Sequence, residues 1–239
     1  MKLLIDAGNT RIKWALADGQ VWLRSGILPV EQAVELSHQF AGLQGIRQVW
    51  VSNVAGEEIA QHIRDACVPA QPRFIAAREA QCGVRNGYSS PAQLGSDRWA
   101  ALIAAWHLVR GACLVVNSGT ATTVDALSAT GEFIGGLILP GVELMQHSLR
   151  GGTVQLQTAQ AGEYAPFPLN TADALYSGAL QASCGAIERQ HALLGDSSAP
   201  VVLSGGAAAA LRNRLNMPLH VVDNLALQGL WLIAQETNA

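Results

Sequence analysis

From residue 3 the chain reads LLIDAGNTRIKWAL, and from residue 114 it reads LVVNSGTATTVDAL. The same pattern is written twice: three apolar residues, an acid or its amide (Asp6, Asn117), a glycine just beyond (Gly8, Gly119), then hydroxyl and amide side chains and a second apolar stretch. Apolar runs of this length bounded by a polar glycine turn are buried strands, so each copy is a strand, a turn and a strand. Such a turn aims backbone N–H groups and hydroxyls at phosphate, and one carboxylate beside it holds a hydrated cation. Two of them, one in each half, point to a nucleotide clamped between two related domains.

The remaining sequence is compatible with that architecture and excludes several others. At 239 residues and 49% hydrophobic content the chain has ample material for proper cores. Charged residues make up 14% and the net charge is −3, so no basic field exists for nucleic acid or an acidic membrane surface. No apolar run reaches spanning length, and Leu3–Ile5 is too short for a signal-peptide core. Cys67, Cys82, Cys113 and Cys184 are widely spaced with no C-x-x-C, which reads as reduced thiols in a cytoplasmic protein. The six histidines show no metal-ligand spacing.

Strands alternate with helical periods along the chain, which predicts α/β architecture. Strands are expected over 3–7 and 11–17, with a third at 20–24 after the Asp18-Gly19 hairpin signal. A helix is expected over 30–40, a buried strand over 47–51 running into Ser52-Asn53, a helix over 57–66 and a short strand over 73–75. Residues 81–95 are rich in Gly, Asn, Ser and Pro, and Ser96 then opens a helix. Trp99, Leu102, Ile103 and Trp106 would bury one face of it, with Ser96 or Asp97 near the cap. Gly111 closes that helix and the second copy of the repeat follows, so the boundary is placed near 110, giving domains 1–110 and 111–239. Beyond it the pattern predicts a strand over 133–139, a helix over 142–149, a long loop over 155–168, a helix from Asn170-Thr171 to about His191, a strand over 201–203 and a helix over 225–234.

D-A-G-N-T at 6–10 is either a phosphate turn or a tight hairpin in which Gly8 supplies an unusual backbone angle and Asp6 caps the turn. The second copy favours the phosphate reading. A third turn, Ser204-Gly205-Gly206, follows another apolar strand, where bare backbone would let an adenine and its ribose lie close; strand, Gly-Gly and helix is also a common packing solution. Asp97 at a helix start is stabilised as a carboxylate by the macrodipole and is a competent proton acceptor; its plain alternative is a helix cap. Arg98 suits a two-pronged carboxylate contact, or a structural ion pair. Lys13 could reach phosphate or simply be an exposed strand residue, and spacing gives Asp125 no role.

The order of these motifs resembles the acetate kinase, hexokinase and actin superfamily, and within it the type III pantothenate kinases. The resemblance covers nearly the whole length and rests on D-A-G-N-T with Lys13, on Tyr88, Pro91 and G-S-D-R at 95–98, on Thr120, on G-G-L-I-L-P-G at 135–141 and on Thr171. It implies two related actin/ribonuclease-H-like domains, each a mixed sheet flanked by helices, with the nucleotide in the cleft between them. It also implies ATP-dependent phosphorylation of pantothenate to 4′-phosphopantothenate, the first step of coenzyme A biosynthesis. By the same resemblance Asp97 is the proton acceptor. Asp6, Gly8, Asn9, Thr10, Lys13, Gly119, Thr120, Gly205 and Gly206 serve ATP. Tyr88, Gly95, Ser96, Asp97, Arg98 and Thr171 serve pantothenate. Asp6 acts through Mg2+, and a homodimer is implied.

One position departs from the family pattern. The family's second turn begins with an aspartate that ligates a monovalent cation, potassium or ammonium, and this chain has Asn117 there. The amide oxygen can still coordinate, but a full charge at close range in a partly buried site is worth on the order of several kcal/mol. Dependence on the monovalent cation is therefore expected to be weakened or lost. The departure also leaves two other readings: a nucleotide-binding accessory or regulatory protein with weak or no kinase activity, and a superfamily kinase acting on another small alcohol.

Overall fold

The computed structural model describes residues 1–19, 21–152 and 162–236. It divides into two compact units. The first comprises Met1–Leu108, Gly131–Phe133 and the chain from Asn224 onward; the second comprises Val109–Thr130 and Ile134–Asp223.

In the first unit β1 (Lys2–Ala7), β2 (Arg11–Asp18), β3 (Val21–Pro29), β4 (Gln48–Asn53) and β5 (Pro72–Phe74) form a sheet in the order β3-β2-β1-β4-β5. The short turns make β1, β2 and β3 antiparallel neighbours. β4 and β5 add in parallel, because helical crossovers carry the chain back before each of them. β1 and β4 are buried nearly end to end, as apolar runs at the middle of a covered sheet must be. Leu3, Ile5, Trp14, Val49 and Val51 pack there with Leu36, Phe40 and Ile63 from the helical segments.

Three local outcomes differ from the expected ones. β3 continues to Pro29 instead of stopping at Arg24, because Gly26 lies against the Trp14 indole, where a Cβ would come within 2.5 Å of the ring nitrogen. The polar Arg24-Ser25-Gly26 step conceals that continuation. The segment expected as one helix over 30–40 is a 3-10 turn at Val30–Glu35, broken at Gln32 (φ −99°, ψ 20°), followed by α1 (Leu36–Phe40). Residues 81–95 hold two short strands, β6 (Ala80–Gln81) and β7 (Val84–Asn86), which pair as a hairpin.

α2 (Glu57–Ala66) matches its predicted span, and α3 (Ser96–Val109) begins where Ser96 predicts. α3 is buried on more than the one expected face: every residue from Arg98 to Ala105 is enclosed. The alanines between its large side chains allow this, since a helix apolar all round is a core helix. Trp99, fully buried, is fixed by Nε1 donating to Gln81 Oε1 at 3.1 Å.

The second unit repeats the plan. β8 (Cys113–Ser118) and β9 (Ala121–Leu127) form the antiparallel hairpin, β10 (Glu132–Pro140) lies beyond β9, and β11 (Val201–Ser204) and β12 (Leu219–Val221) add in parallel on the other side of β8. The order β10-β9-β8-β11-β12 reproduces β3-β2-β1-β4-β5, so the sequence duplication is a duplication of sheet topology. β12 was not expected; three residues give too short a pattern to read. α4 (Val142–Gly152), α5 (Thr171–Leu194) and α6 (Ala208–Arg212) complete the unit, with Leu180, Cys184 and Ile187 of α5 packed on Leu114, Val116 and Leu203. The loop expected over 155–168 lies partly outside the described residues, as does Gln20 of the expected third strand.

α7 (Leu225–Glu236) belongs to the first unit. A Cβ on its Gly229 would run into the Ala100 carbonyl of α3, so only glycine permits this approach. Lys2 Nζ donates to Ala234 O at 2.6 Å, and Trp231 Nε1 donates to Gly19 O at 2.6 Å.

No described helix is long and apolar enough to cross a membrane. None of the four cysteines is disulfide-bonded, and burial pushes the Cys67 thiol up to about 11 and the Cys113 thiol up to about 12, so both are protonated at neutral pH.

Candidate active site

Asp6 sits one residue before the end of β1, opposite Lys13 on β2 and level with Ser52 on β4. Its residue is partly exposed, yet Oδ1 is buried and has no hydrogen-bond partner. Its pKa is raised from 3.8 to about 6, first by burial and then by the nearby Asp97 carboxylate, with Lys13 and Ser52 acting in the opposite direction. Two carboxylates distant in sequence therefore feel one another here.

An orphaned, buried carboxylate oxygen beside a second carboxylate fits a cation, which supplies the missing partner. Among the described residues no group of three or more His, Cys, Asp and Glu could hold a metal ion by itself. The fit is therefore to a Mg2+ that takes one or two carboxylates together with substrate phosphates and water.

The two repeated turns do not need glycine for backbone reasons. Neither Gly8 nor Gly119 has a left-handed φ. A Cβ on Gly8 would meet only Arg11 O at 3.4 Å, and one on Gly119 only Ala121 O at 4.0 Å. The hairpin alternative of an unusual backbone angle at Gly8 thus loses its reason, and bare backbone at both turns leaves room for a ligand. The turns also differ. Asp6 pairs with Lys13, whereas Asn117 pairs with Thr123, so the first loop holds one residue more. Asn9 and Thr10 are exposed within that loop.

Asp97 stands in the first turn of α3, with Oδ1 accepting from the Arg98 N–H at 2.8 Å. A Cβ on Gly95 would come within 2.6 Å of that oxygen, which explains the glycine of G-S-D-R. Ser96 faces inward: its hydroxyl lies 3.1 Å from that of Ser52, and both residues are buried. Arg98 is only 7% exposed, with Nη1 donating to the Tyr88 hydroxyl at 3.2 Å. Its guanidinium carbon lies 5.9 Å from the Tyr88 ring centre and 5.8 Å from that of Phe133. The two rings are 5.2 Å apart and tilted by 44°. Asn86 shapes the loop that carries Tyr88, accepting the Tyr88 N–H at 3.0 Å and donating to Pro91 O at 3.2 Å.

In the second unit two glycine segments close on the second turn and a third on the strand that follows it. Gly141 N–H donates to Thr120 O at 2.8 Å, and a side chain there would collide with the Gly119 and Thr120 carbonyls. Gly136 packs in the same way on buried Asp125. Gly205 has φ +102° and lies against the Ser118 carbonyl, which also accepts from Ala207 N–H at 3.1 Å. Gly206 follows with nothing near its Cα face. Asn117, partly buried at the end of β8, is flanked in the sheet by Thr123 and Ser204. Thr120 is exposed, and so is Thr171, which opens α5 on a separate element; Asn170 caps that helix by accepting the Asp173 N–H at 3.0 Å.

Within the first unit the fold thus gathers Asp6, Lys13 and Asp97, with Tyr88 and Arg98 in contact with each other; within the second it gathers Asn117, Gly119, Thr120 and Gly205. Sequence reasoning missed Ser52 and Phe133. A signal existed for Ser52: VWVSN closes β4 with polar residues at the level where LLIDA closes β1. Phe133 gave none, being one aromatic in an apolar strand.

Residues 2–192 match the family model described as type III pantothenate kinase. A type III pantothenate kinase from Nitrosospira multiformis is 50% identical over 99% of this chain and 92% of its own length. Among solved structures, a protein described as a Baf family transcriptional activator from Campylobacter jejuni superposes with TM-score 0.64 at 21% identity, covering 99% of this chain and 100% of that one. The (R)-2-hydroxyglutaryl-CoA dehydratase component A of Acidaminococcus fermentans superposes with TM-score 0.59 at 12% identity, covering 100% and 99%. At such identities these two bear on fold alone, and they share the duplicated mixed α/β architecture expected from the sequence. Full-length identity at this level, together with the family match, settles membership: the chain belongs to the type III pantothenate kinase family.

Proposed function

We propose that this chain moves the γ-phosphoryl group of ATP onto the pantothenate hydroxyl, giving 4′-phosphopantothenate and ADP at the start of coenzyme A biosynthesis, with Asp97 as the proton acceptor. The observation that carries the assignment is the convergence of Asp6 and Asp97 in one electrostatic environment beside Lys13. Phosphoryl transfer asks little covalent chemistry of a protein; it needs positioning, neutralised charge and a group that orients and deprotonates the nucleophile. Asp97, at a helix start, takes the hydroxyl proton as the oxygen–phosphorus bond forms and ADP leaves.

Arg98 and Tyr88 form the acceptor end. A guanidinium packed against two adjoining rings keeps its fork oriented, and a pantothenate carboxylate suits it. Thr171 contributes a hydroxyl to the same substrate, and Gly95 keeps the space around Asp97 clear. Gly8, Asn9, Thr10 and Lys13 serve the phosphates, Gly119 and Thr120 do so from the second turn, and Gly205 and Gly206 receive the adenosine. Asp6 would hold Mg2+, which supplies charge neutralisation at the β- and γ-phosphate oxygens. Asn117 takes the monovalent-cation position with an amide in place of a charge, so potassium or ammonium is a weak activator.

A homodimer is supported by apolar exposure in the second unit: Ile134 and Ile138 of β10 are 56% and 66% exposed, with Leu137, Leu144 and Leu149 also at the surface. Exposed apolar side chains of this size suit an association face. Free thiols and an ATP donor support a cytoplasmic location.

The test is product formation from pantothenate and Mg-ATP by wild type and by Asp97→Asn, with folding checked by circular dichroism. Collapse of kcat by about 100-fold or more in the folded variant is expected. A folded wild type that binds ATP and forms no product would overturn the assignment in favour of a regulatory nucleotide-binding protein.

A further inference from the structure

Ser52 belongs to no motif that the phosphoryl-transfer assignment uses, and Ser96, although it stands inside the G-S-D-R segment, turns its hydroxyl inward to Ser52, so that the pair joins the strand beside Asp6 to the helix start carrying Asp97. Ser52 is fully buried on β4, directly level with Asp6 on β1. On one side it is the cross-strand neighbour of Asp6, whose carboxylate it helps to stabilise. On the other its Oγ is 3.1 Å from the Oγ of Ser96, the residue before Asp97. A carboxylate only accepts and each hydroxyl has one proton to give, so a Ser52 proton turned towards Asp6 leaves Ser52 Oγ to accept from Ser96. The Asn53 carbonyl, 3.5 Å from Ser96 Oγ, is the weaker competing acceptor.

We infer that Ser52 and Ser96 are positioning residues that lock the Asp6 carboxylate to the helix start carrying Asp97, so that the phosphate side and the acceptor side of the reaction keep a fixed spacing. The inference rests on the roles proposed for Asp6 and Asp97. Water cannot substitute for either hydroxyl, because both residues are enclosed. Packing alone does not account for the pair. An alanine at either position would fill nearly the same volume, while the hydroxyls bond each other beside a buried carboxylate oxygen whose demand is unmet. Removing one link frees the Asp6 side chain to turn, and partners of this kind typically carry about tenfold or more in affinity or activity.

The experiment compares wild type, Ser52→Ala, Ser96→Ala and the double variant, with Asp6→Asn and Asp97→Asn alongside. Mg-ATP affinity is measured by calorimetry without pantothenate, and steady-state constants are measured with it. Each single variant is expected to bind Mg-ATP about tenfold more weakly and to lose kcat, and Ser52→Ala is expected to keep KM for pantothenate within about twofold. The losses do not multiply in the double variant, because both variants cut one chain. Should Ser52→Ala fail to fold, Ser96→Ala reads the same link from the helix end. Mg-ATP affinity within twofold of wild type in a folded single variant, or multiplicative losses in the double variant, overturns the inference. If Asp6→Asn and Asp97→Asn collapse while the serine variants do not, the link alone fails. If the aspartate variants are also unaffected, the carboxylate roles fail and the link falls with them.

Discussion

Replacing Asp6 by asparagine should stabilise the protein while disabling it. The carboxyl is held at about 6 against an ordinary 3.8, chiefly by burial. That displacement corresponds to about 3 kcal/mol at ~1.4 kcal/mol for each tenfold change in proton affinity. The fold binds this proton more tightly than the unfolded chain does, so protonation favours the fold. The penalty is absent below pH 3.8, develops between pH 3.8 and about 6, and is complete above that. Asparagine removes the charge and with it the penalty, but brings an amide that must find partners, which costs about 1 kcal/mol. A net gain of roughly 2 kcal/mol remains at pH 8, or about 4–8 °C in Tm for a chain of this size. The assay is ligand-free thermal unfolding of both proteins at pH 8 and pH 4.5, with kcat measured on the same preparations. A variant no more stable than wild type at pH 8, or one whose advantage is undiminished at pH 4.5, refutes the argument that burial of a charge sets the behaviour of this residue.

Tyr88→Phe removes the hydroxyl that accepts from Arg98 and should raise KM for pantothenate by about 5-fold, the value of one hydrogen bond of ~1 kcal/mol, with kcat nearly unchanged; steady-state kinetics measures both. Gly205→Ala places a methyl against the Ser118 carbonyl at a left-handed φ, so chemical denaturation should show a loss of about 1–3 kcal/mol and ATP titration a weaker site. Wild type should respond weakly to potassium, and Asn117→Asp should gain a saturable potassium activation that sodium does not reproduce. A strong, saturable potassium requirement in wild type would contradict the reading of Asn117.

The duplicated motif was legible because each copy packs chemistry and topology into a few residues: a buried strand must end, and here it ends on an acid or amide and a glycine. The helix spans of α2 and α3 were equally readable, since periodicity and cap residues act within the element itself. What stayed hidden depends on partners distant in sequence. β3 runs through a polar step because Gly26 meets Trp14, and α3 is buried around most of its circumference because alanines that look neutral in sequence accept close neighbours such as Gly229. Asp97 was found through its motif, but its influence on Asp6 exists only after β1, β4 and α3 have assembled. Ser52 is ordinary in sequence and acquires its place from sheet register alone.

The return of α7 to the first unit imposes an order of events during synthesis. All of the second unit leaves the ribosome before α7 does, so the β1–β5 sheet is made early and completed last. Until then the backbone of Ala100, the Lys2 ammonium and the face that receives Leu230 and Ile233 have no covering helix. The nascent first unit is thus a waiting intermediate with exposed apolar surface, the kind of species that chaperones bind. A single cut between the units at residue 110 would leave it permanently in that state, so neither deletion analysis nor expression of the amino-terminal half alone would report on the folded unit.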